Sequence, residues 1–322
     1  MIQVNSNALL GYKFIDLFCG IGGFHIALSS FGAECVFASD VDEKARKVYE
    51  SNYGIFPQGD ITKIKNKEIP SHDILCAGFP CQPFSISGKQ NGFDHPSGKL
   101  FYQIIRIARY HKPKVILLEN VKNLSTHDNG KTITEIRNQL GQIGYYVYDH
   151  VLIASDFGIP QARERLYIVA LKKSLKIKKF VFPAGDKKVC CVNDILCDES
   201  CHYDVRVKRD YIINKKPSHK NGLIQVAKFG RGRQGERIYS PNGYSTTLSS
   251  QGGGLGGRTG MYLINGTVRK LYPRECARLM GFPDIFQYAE DISTAYKQFG
   301  NSVVVDVLQN IVIKIIESIQ EE

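Results

Sequence analysis

Along the first 170 residues, short unbroken apolar runs alternate with stretches in which apolar positions recur every three or four residues. A run of the first kind suits a strand buried on both faces, and one of the second kind a helix with a single apolar stripe. Residues 13–18, 34–40, 72–78, 114–121 and 165–170 are accordingly read as strands, and 22–31, 42–53, 98–110 and 132–143 as helices. This alternation predicts a doubly wound, mostly parallel α/β sheet. From about residue 172 the pattern changes to short runs, lysine clusters and turns, including Gly252-Gly253-Gly254 and Gly256-Gly257. A smaller, loop-rich, β-containing second domain is expected there. Periodicity returns at 274–281, and 303–319 reads as an amphipathic helix that packs back on the first domain. The expected division is 1–188 with 294–322 for the first domain, 189–272 for the second, and 273–293 as a hinge.

Composition narrows the class. The chain has 322 residues, of which 43% are hydrophobic and 23% charged, which suits about two globular domains and excludes disordered or collagen-like architectures. Its first residues have neither the basic nor the apolar segment of a secretory signal, and no run approaches the ~18 apolar residues that span a bilayer. A cytoplasmic protein with no membrane partner is expected. The nine cysteines are scattered through a chain too large to need staples, so they read as free thiols. Cys190, Cys191, Cys197, Cys201 and His202 cluster, but their spacing matches no standard zinc pattern and no metal is expected.

Charge changes the picture more. The net charge is +11, and residues 172–275 alone hold 21 Lys and Arg against 8 Asp and Glu. That third carries the whole surplus, either as a solvated lysine-rich face or as a nucleic-acid-binding module attached to a near-neutral body.

Five sequence features could carry chemistry. Phe18, Gly20, Gly22 and Gly23 form a glycine-rich turn between a strand and a helix, with Asp40 at the end of the next strand. Such a turn allows close backbone approach to a nucleotide-like ligand whose ribose the acid can hold, although packing alone also explains it. Asp60, followed by Ile61, could accept an adenine amino group or merely cap a turn. Gly78-Phe79-Pro80-Cys81-Gln82-Pro83-Phe84-Ser85 starts at the carboxyl end of a strand, where open α/β sheets place their ligands. Two prolines favour a thiol presented from a loop, against the common buried cysteine. Glu119-Asn120-Val121 ends another apolar strand, and Gln161-Ala162-Arg163-Glu164-Arg165 enters a further one. Individually these could be a cap and a surface ion pair; together they bring a thiol, a carboxyl and a guanidinium to one sheet edge.

These motifs, followed in order by 269–284 and Gln298-Phe299-Gly300-Asn301-Ser302-Val303, resemble the DNA (cytosine-5)-methyltransferases over essentially the whole chain. The resemblance implies the S-adenosylmethionine-dependent methyltransferase sheet with a target-recognition domain. It implies a methyl transfer to C5 of a flipped cytosine in a short duplex sequence, GCGC being one candidate, within a restriction–modification system. Cys81 would add to C6, Glu119 would engage N3 and the exocyclic amine, and Arg163 and Arg165 would hold base and thiol while Asn120 orients the loop. S-adenosylmethionine would lie against Phe18, Gly20, Gly22, Gly23, Asp40, Asp60, Ile61, Pro80, Leu100, Asn301 and Ser302. Double-stranded DNA would meet Ser85, Ser87, Arg231, Arg233, Gln234, Arg237, Gln251 and Gly253, with Arg237 on a guanine and Gln234 and Ser87 filling the space of the flipped base. For Arg231 and Arg233, phosphate contacts are the expectation rather than base reading. The chain departs from a close family member at Val41, which stands where that member has a tryptophan against adenine, and at Gln251, which replaces an aromatic residue. A monomer is expected, with a companion restriction endonuclease that acts on the same site without binding the protein.

An RNA cytosine-5 methyltransferase on the same fold, and a DNA-binding protein without catalysis, are the alternatives. By the resemblance, Gln82-Pro83-Phe84-Ser85 after the nucleophile disfavours the first, and the presence of Cys81, Glu119 and Arg163 disfavours the second. A nicotinamide oxidoreductase would explain the glycine turn alone. The charge division makes a prediction. Replacing Lys or Arg within 206–237 should flatten the dependence of log K for DNA on log salt, by about 0.9 for each phosphate that is no longer neutralised. Replacing Cys81 should leave that slope intact; salt titrations of DNA binding check both.

Overall fold

The continuous apolar runs become β1 (Lys13–Leu17), β2 (Glu34–Ser39), β3 (Ile74–Ala77) and β4 (Val115–Val121) in a computed structural model that describes residues 5–80, 100–177, 179–186, 190–197 and 203–320. Two units are distinguished: Met1–Leu152 with Glu164–Pro183 and Val307–Glu322, and Ile153–Arg163 with Ala184–Asp306.

In the first unit six strands lie in the order β2-β1-β3-β4-β6-β5, where β5 is Tyr145–Ile153 and β6 is Glu164–Lys172. The pairs β1–β2, β1–β3 and β3–β4 are parallel, and β4–β6 is antiparallel, giving a mixed α/β sheet of the kind expected. Phe14, Ile15, Leu17, Ile74, Leu75 and Val115 to Leu118 are almost wholly buried, as strands covered on both faces require. The helices are α1 (Gly23–Ser29), α2 (Glu43–Tyr53), α3 (Phe101–His111) and α4 (Lys131–Gln142). Asp42 caps α2 by accepting from the N–H groups of Lys44 and Ala45. α3 is described from Phe101, with Leu100 at its head; residues 81–99 lie outside the described residues. β5 is not among the elements that the sequence predicts. It lies at a sheet edge, and Asp149 and His150 interrupt the continuous apolar signature that its neighbours show.

The second unit holds a five-stranded sheet in the order β11-β10-β9-β8-β7: β7 (Ile212–Lys220), β8 (Leu223–Lys228), β9 (Arg237–Tyr239), β10 (Met261–Ile264) and β11 (Thr267–Arg269). Two hairpins close through Asn221-Gly222 and Asn265-Gly266, with positive φ at all four residues, as a tight two-residue turn between twisted strands requires. Its small core joins Ala227, Phe229, Ile238, Met261 and Val268. α5 (Pro273–Arg278) and α6 (Ile292–Asn301) follow, and α7 (Val305–Gln320) ends the described chain.

Lys172, Lys173, Lys176 and Lys179 belong to the first unit, so the basic third of the sequence is divided between the two. No helix among the described residues is long and apolar enough to cross a membrane. No group of three or more His, Cys, Asp or Glu among them is placed to hold a metal; Cys201 and His202 lie outside the described residues.

Arg269 and Glu275 form a two-pronged buried ion pair, Nη1 to Oε2 and Nη2 to Oε1, both at 2.7 Å. Glu275 also accepts the Tyr272 and Cys197 N–H groups, at 2.7 and 3.3 Å. Removing the carboxylate leaves a buried guanidinium and two backbone donors without an acceptor. Glu275→Ala should therefore destabilise the protein by about 3–5 kcal/mol, read as a lowered urea midpoint.

Candidate active site

Register aligns the carboxyl ends of the first unit's parallel strands. Leu17 is opposite Ser39 on one side and Ala77 on the other, and Ala77 is opposite Leu118. The residues that follow, Phe18, Asp40, Gly78 and Glu119, therefore leave the sheet along one edge.

At β1 the chain turns sharply. Phe18 and Gly20 hold φ of 55° and 53°, and Gly22, at 86°, is the N-cap of α1. A side chain at Gly22 would collide with the Tyr53 ring, whose hydroxyl donates to the Ile21 and Gly22 carbonyls at 3.1 and 3.0 Å. Tyr53 in turn stacks on His25, whose pKa burial lowers to about 4. The turn is thus fixed by backbone acceptors and an aromatic wall. Asp40 locks it from β2: Oδ2 accepts the Gly20 N–H at 2.8 Å, and Oδ1 the Asp42 N–H at 2.8 Å. Burial raises the Asp40 pKa and these hydrogen bonds oppose the rise. Asp60 accepts from both the N–H and the hydroxyl of Thr62, which lowers its pKa, and it caps the short turn Ile61–Lys63. Ile61 is buried beneath it. Leu100 is half-buried at the head of α3, and Val41 is 75% exposed.

The sequence does not single out Asp16 as a site residue. It is fully buried in β1, and neither carboxylate oxygen has a hydrogen-bond partner. Burial first, and Asp40 second, push its pKa well up. A buried acid without a hydrogen-bond partner, just before a glycine-rich turn, is a polar feature that the apolar core does not explain. Its signal is legible as the one acid inside Phe14-Ile15-Asp16-Leu17.

Glu119 and Asn120 end β4 within this unit. Glu119 is nearly buried and pairs with Arg165 from β6, Oε1 to Nε at 3.1 Å. The antiparallel register brings them close, Glu119 being opposite Tyr167 and Val121 opposite Arg165. Asn120 is buried; Nδ2 donates to the Phe79 carbonyl at 3.1 Å and Oδ1 accepts the Val121 N–H at 2.9 Å. It therefore pins the backbone that leads through Pro80 toward Cys81. Cys81, Ser85 and Ser87 lie outside the described residues.

In the second unit, Arg163 is buried and donates from Nη1 to the Leu248 carbonyl at 3.0 Å. Its Nη2 donates to the Gly300 and Ser302 carbonyls at 3.2 and 2.6 Å, bracketing Asn301. Gln161 reinforces this knot, accepting the Leu248 N–H at 2.9 Å and donating to the Leu279 carbonyl at 2.8 Å. Neither the sequence reading of Arg163 nor that of Gln161 anticipates this backbone bracing. Asn301 is exposed and Ser302 buried.

The same unit presents an arginine-rich loop. Phe229 N–H donates to the Glu236 carbonyl and Arg233 N–H to the Glu236 carboxylate, both at 2.8 Å, so the loop closes on itself. The Gly256 N–H donates to the Gly235 carbonyl at 2.8 Å, which joins it to the glycine run. Arg231, Gln234, Arg237, Gln251 and Gly253 are exposed. Arg237 has a side-chain tie within the loop, Nε to the Gly232 carbonyl at 3.2 Å.

A family model described as C-5 cytosine-specific DNA methylase matches residues 12–317. The chain is 48% identical to the type II methyltransferase M.HhaI of Haemophilus parahaemolyticus over 97% of its own length and 96% of that protein's. It is 40% identical to M.HpaII of Haemophilus parainfluenzae, over 98% and 92% of the two lengths. Among solved structures it is similar to the Entamoeba histolytica methyltransferase EhMeth, with a TM-score of 0.73, 19% identity and coverage of 95% of this chain and 98% of that one. A prophage-encoded DNA modification methyltransferase from E. coli is comparable, with a TM-score of 0.72, 22% identity and coverage of 97% and 100%. These two likenesses bear on the fold.

The Asp16 geometry makes a stability prediction. A carboxyl whose folded pKa is raised keeps a proton that the unfolded chain loses, so stability falls as pH rises above the unfolded value. Asp16→Asn should therefore raise the stability of the ligand-free protein at pH 7 by about 1 kcal/mol or more, and the gain should shrink as pH falls toward about 4. Urea unfolding at the two pH values measures it.

Proposed function

Because the chain belongs to the C-5 cytosine-specific DNA methylase family, we propose that it methylates C5 of a cytosine flipped out of a short, specific duplex sequence, through a covalent bond between Cys81 and C6. The observation that carries this reading is the alignment of three strand ends in the first unit. The Asp40-locked glycine turn, the Phe79–Pro80 backbone and the Glu119–Arg165 pair leave the sheet along one edge.

S-adenosylmethionine supplies an electrophilic methyl group on a positively charged sulfur. The residues present suit it: a tight glycine-rich turn, Asp40 after the next strand for ribose hydroxyls, Asp60 and Ile61 for adenine, and a buried acid just before the turn. Phe18, Gly20, Gly22, Gly23, Pro80 and Leu100 complete the first unit's share, and Asn301 and Ser302 would add contacts from the segment that Arg163 braces. A cationic ligand near Asp16 and Asp40 would be favoured by charge, and would lower the pKa of both.

Cytosine C5 is a weak nucleophile until a group adds at C6. The Cys81 thiolate forms the S–C6 bond while Glu119, held by Arg165, engages N3 and the exocyclic amine, so that the ring takes up the electron pair. C5 would then take the methyl group as its bond to the sulfonium breaks, leaving a neutral thioether, and loss of the C5 proton to solvent would return the pair to the ring and break the S–C6 bond. Asn120, tied to the Phe79 carbonyl, fixes the backbone before the nucleophile. Extraction of the base from the stack costs a few kcal/mol, which DNA contacts must offset. Arg231, Arg233, Gln234, Arg237, Gln251 and Gly253 of the second unit's loops would supply these, with Ser85 and Ser87, which lie outside the described residues. The chain would serve a type II restriction–modification system, and GCGC is the first sequence to test.

Methyl transfer from labelled S-adenosylmethionine to duplex DNA and to transfer RNA tests the reading. Duplex DNA should be the acceptor, Cys81→Ser should abolish transfer, and Glu119→Gln should lower kcat by about 10²–10⁴-fold. Incorporation into RNA alone would refute the substrate, and full activity of Cys81→Ser the mechanism.

A further inference from the structure

The lysines of β6 and the turn after it have no part in the reaction above. Lys173 and Lys176 line a cavity of about 470 Å³ in the first unit, together with Tyr146, Tyr148 and Ile177. Tyr146 is 46% exposed, and the Lys173 ammonium stands over its ring, 5.7 Å from the centroid. Lys176 holds a left-handed φ of 53° at the end of the short turn Lys173–Leu175. A bulky residue in that conformation is uncommon and is retained where the surroundings require it.

The strand pattern explains why this face is both aromatic and free of acids. β5 is the edge strand, and side chains two apart share a face, so Tyr146, Tyr148 and His150 line one side. Ring contacts continue the strip: Tyr148 meets Phe180 at 5.5 Å, Phe180 meets Phe182 at 5.0 Å, and Phe182 meets His150 at 5.8 Å. Asp149 alternates to the other face, where Arg137 of α4 holds it with hydrogen bonds of 2.6 and 2.9 Å. No carboxylate lines the cavity among the described residues.

We propose that this cavity is an accessory nucleotide site, in which an unpaired base stacks on Tyr146 and its phosphate lies between Lys173 and Lys176. The chemistry is that of sequence-tolerant nucleic-acid platforms: an exposed ring for any base and flexible cations for the backbone. The volume lies within the range of small-ligand pockets. Ile177, which is buried, closes the apolar floor. The ligand is a nucleoside phosphate, free or within a single strand, and the site is separate from the strand ends assigned to methyl transfer.

Anisotropy of a fluorescein-labelled thymidine pentanucleotide, titrated with the full-length chain, tests this. Tyr146→Ala and the double variant Lys173→Glu, Lys176→Glu should each weaken binding roughly tenfold or more, and Tyr146→Phe should retain it. The double variant should also flatten the salt dependence, by about 0.7 for each phosphate that is no longer neutralised. Methyl transfer to duplex DNA by the same preparations should stay within about twofold, which separates this site from the reaction and shows that the variants fold. Displacement by adenosine monophosphate would identify a free nucleotide as a ligand, and displacement by oligonucleotides alone a strand; either supports the site. Unchanged affinity in Tyr146→Ala and the double lysine variant, or weakening produced by Arg231→Ala and Arg237→Ala instead, would overturn it.

Discussion

The parallel ladder joining β2, β1, β3 and β4 is the constraint on which the first unit depends. Strands buried on both faces accept no polar side chain along their length without cost, so polar chemistry collects where they end. Parallel pairing then sets those ends side by side: Phe18 after β1, Asp40 after β2, Gly78 after β3, and Glu119 with Asn120 at the close of β4. Reversing β6 against β4 supplies the one element such a row lacks, a cation entering from the opposite direction. Arg165 meets Glu119 only because its strand runs antiparallel to the carboxylate's.

Asp16 is the exception among these strands, a fully buried acid. It lies inside the ladder, paired in register with Ala38 and Cys76, and its carboxylate has no hydrogen-bond partner. At Arg269 and Glu275, by contrast, buried charge is fully satisfied, with two side-chain hydrogen bonds and two backbone donors around one carboxylate. The contrast separates two uses of buried polarity. One acid is compensated by its neighbours; the other is buried without a hydrogen-bond partner, and burial pushes its pKa well up. Local violation of polar satisfaction is where function is to be sought, because stability alone gives no reason to retain it.

Legibility in the sequence follows the same physics. Strands of continuous apolar residues announce themselves, as do amphipathic helices such as α7, whose buried Leu308, Ile311, Val312 and Ile315 keep a helical period. β5 escapes because an edge strand buries too little of either face to write a clear pattern. β7 escapes for a stronger form of that reason: Ile212–Lys220 is exposed over nearly its whole length and carries three lysines and a proline. Turn chemistry is the better guide there, since Asn221-Gly222 and Asn265-Gly266 mark both hairpins. In the site, Asp40 and Glu119 are visible as acids that close apolar runs. Their partners, the Gly20 N–H and Arg165 Nε, are fixed by strand order, which no local pattern encodes. The basic third is a true compositional feature whose limits mislead, because Lys172 to Lys179 follow β6 and belong with the first unit.

The second unit divides labour in a different manner. Arg163 and Gln161 direct polar atoms to backbone groups of Leu248, Leu279, Gly300 and Ser302, so they hold segments whatever side chains those segments carry. The loop from Phe229 to Arg237 is likewise closed largely through backbone groups and Glu236, leaving Arg231 and Gln234 exposed. A loop held in this way can exchange its outward residues without losing its shape.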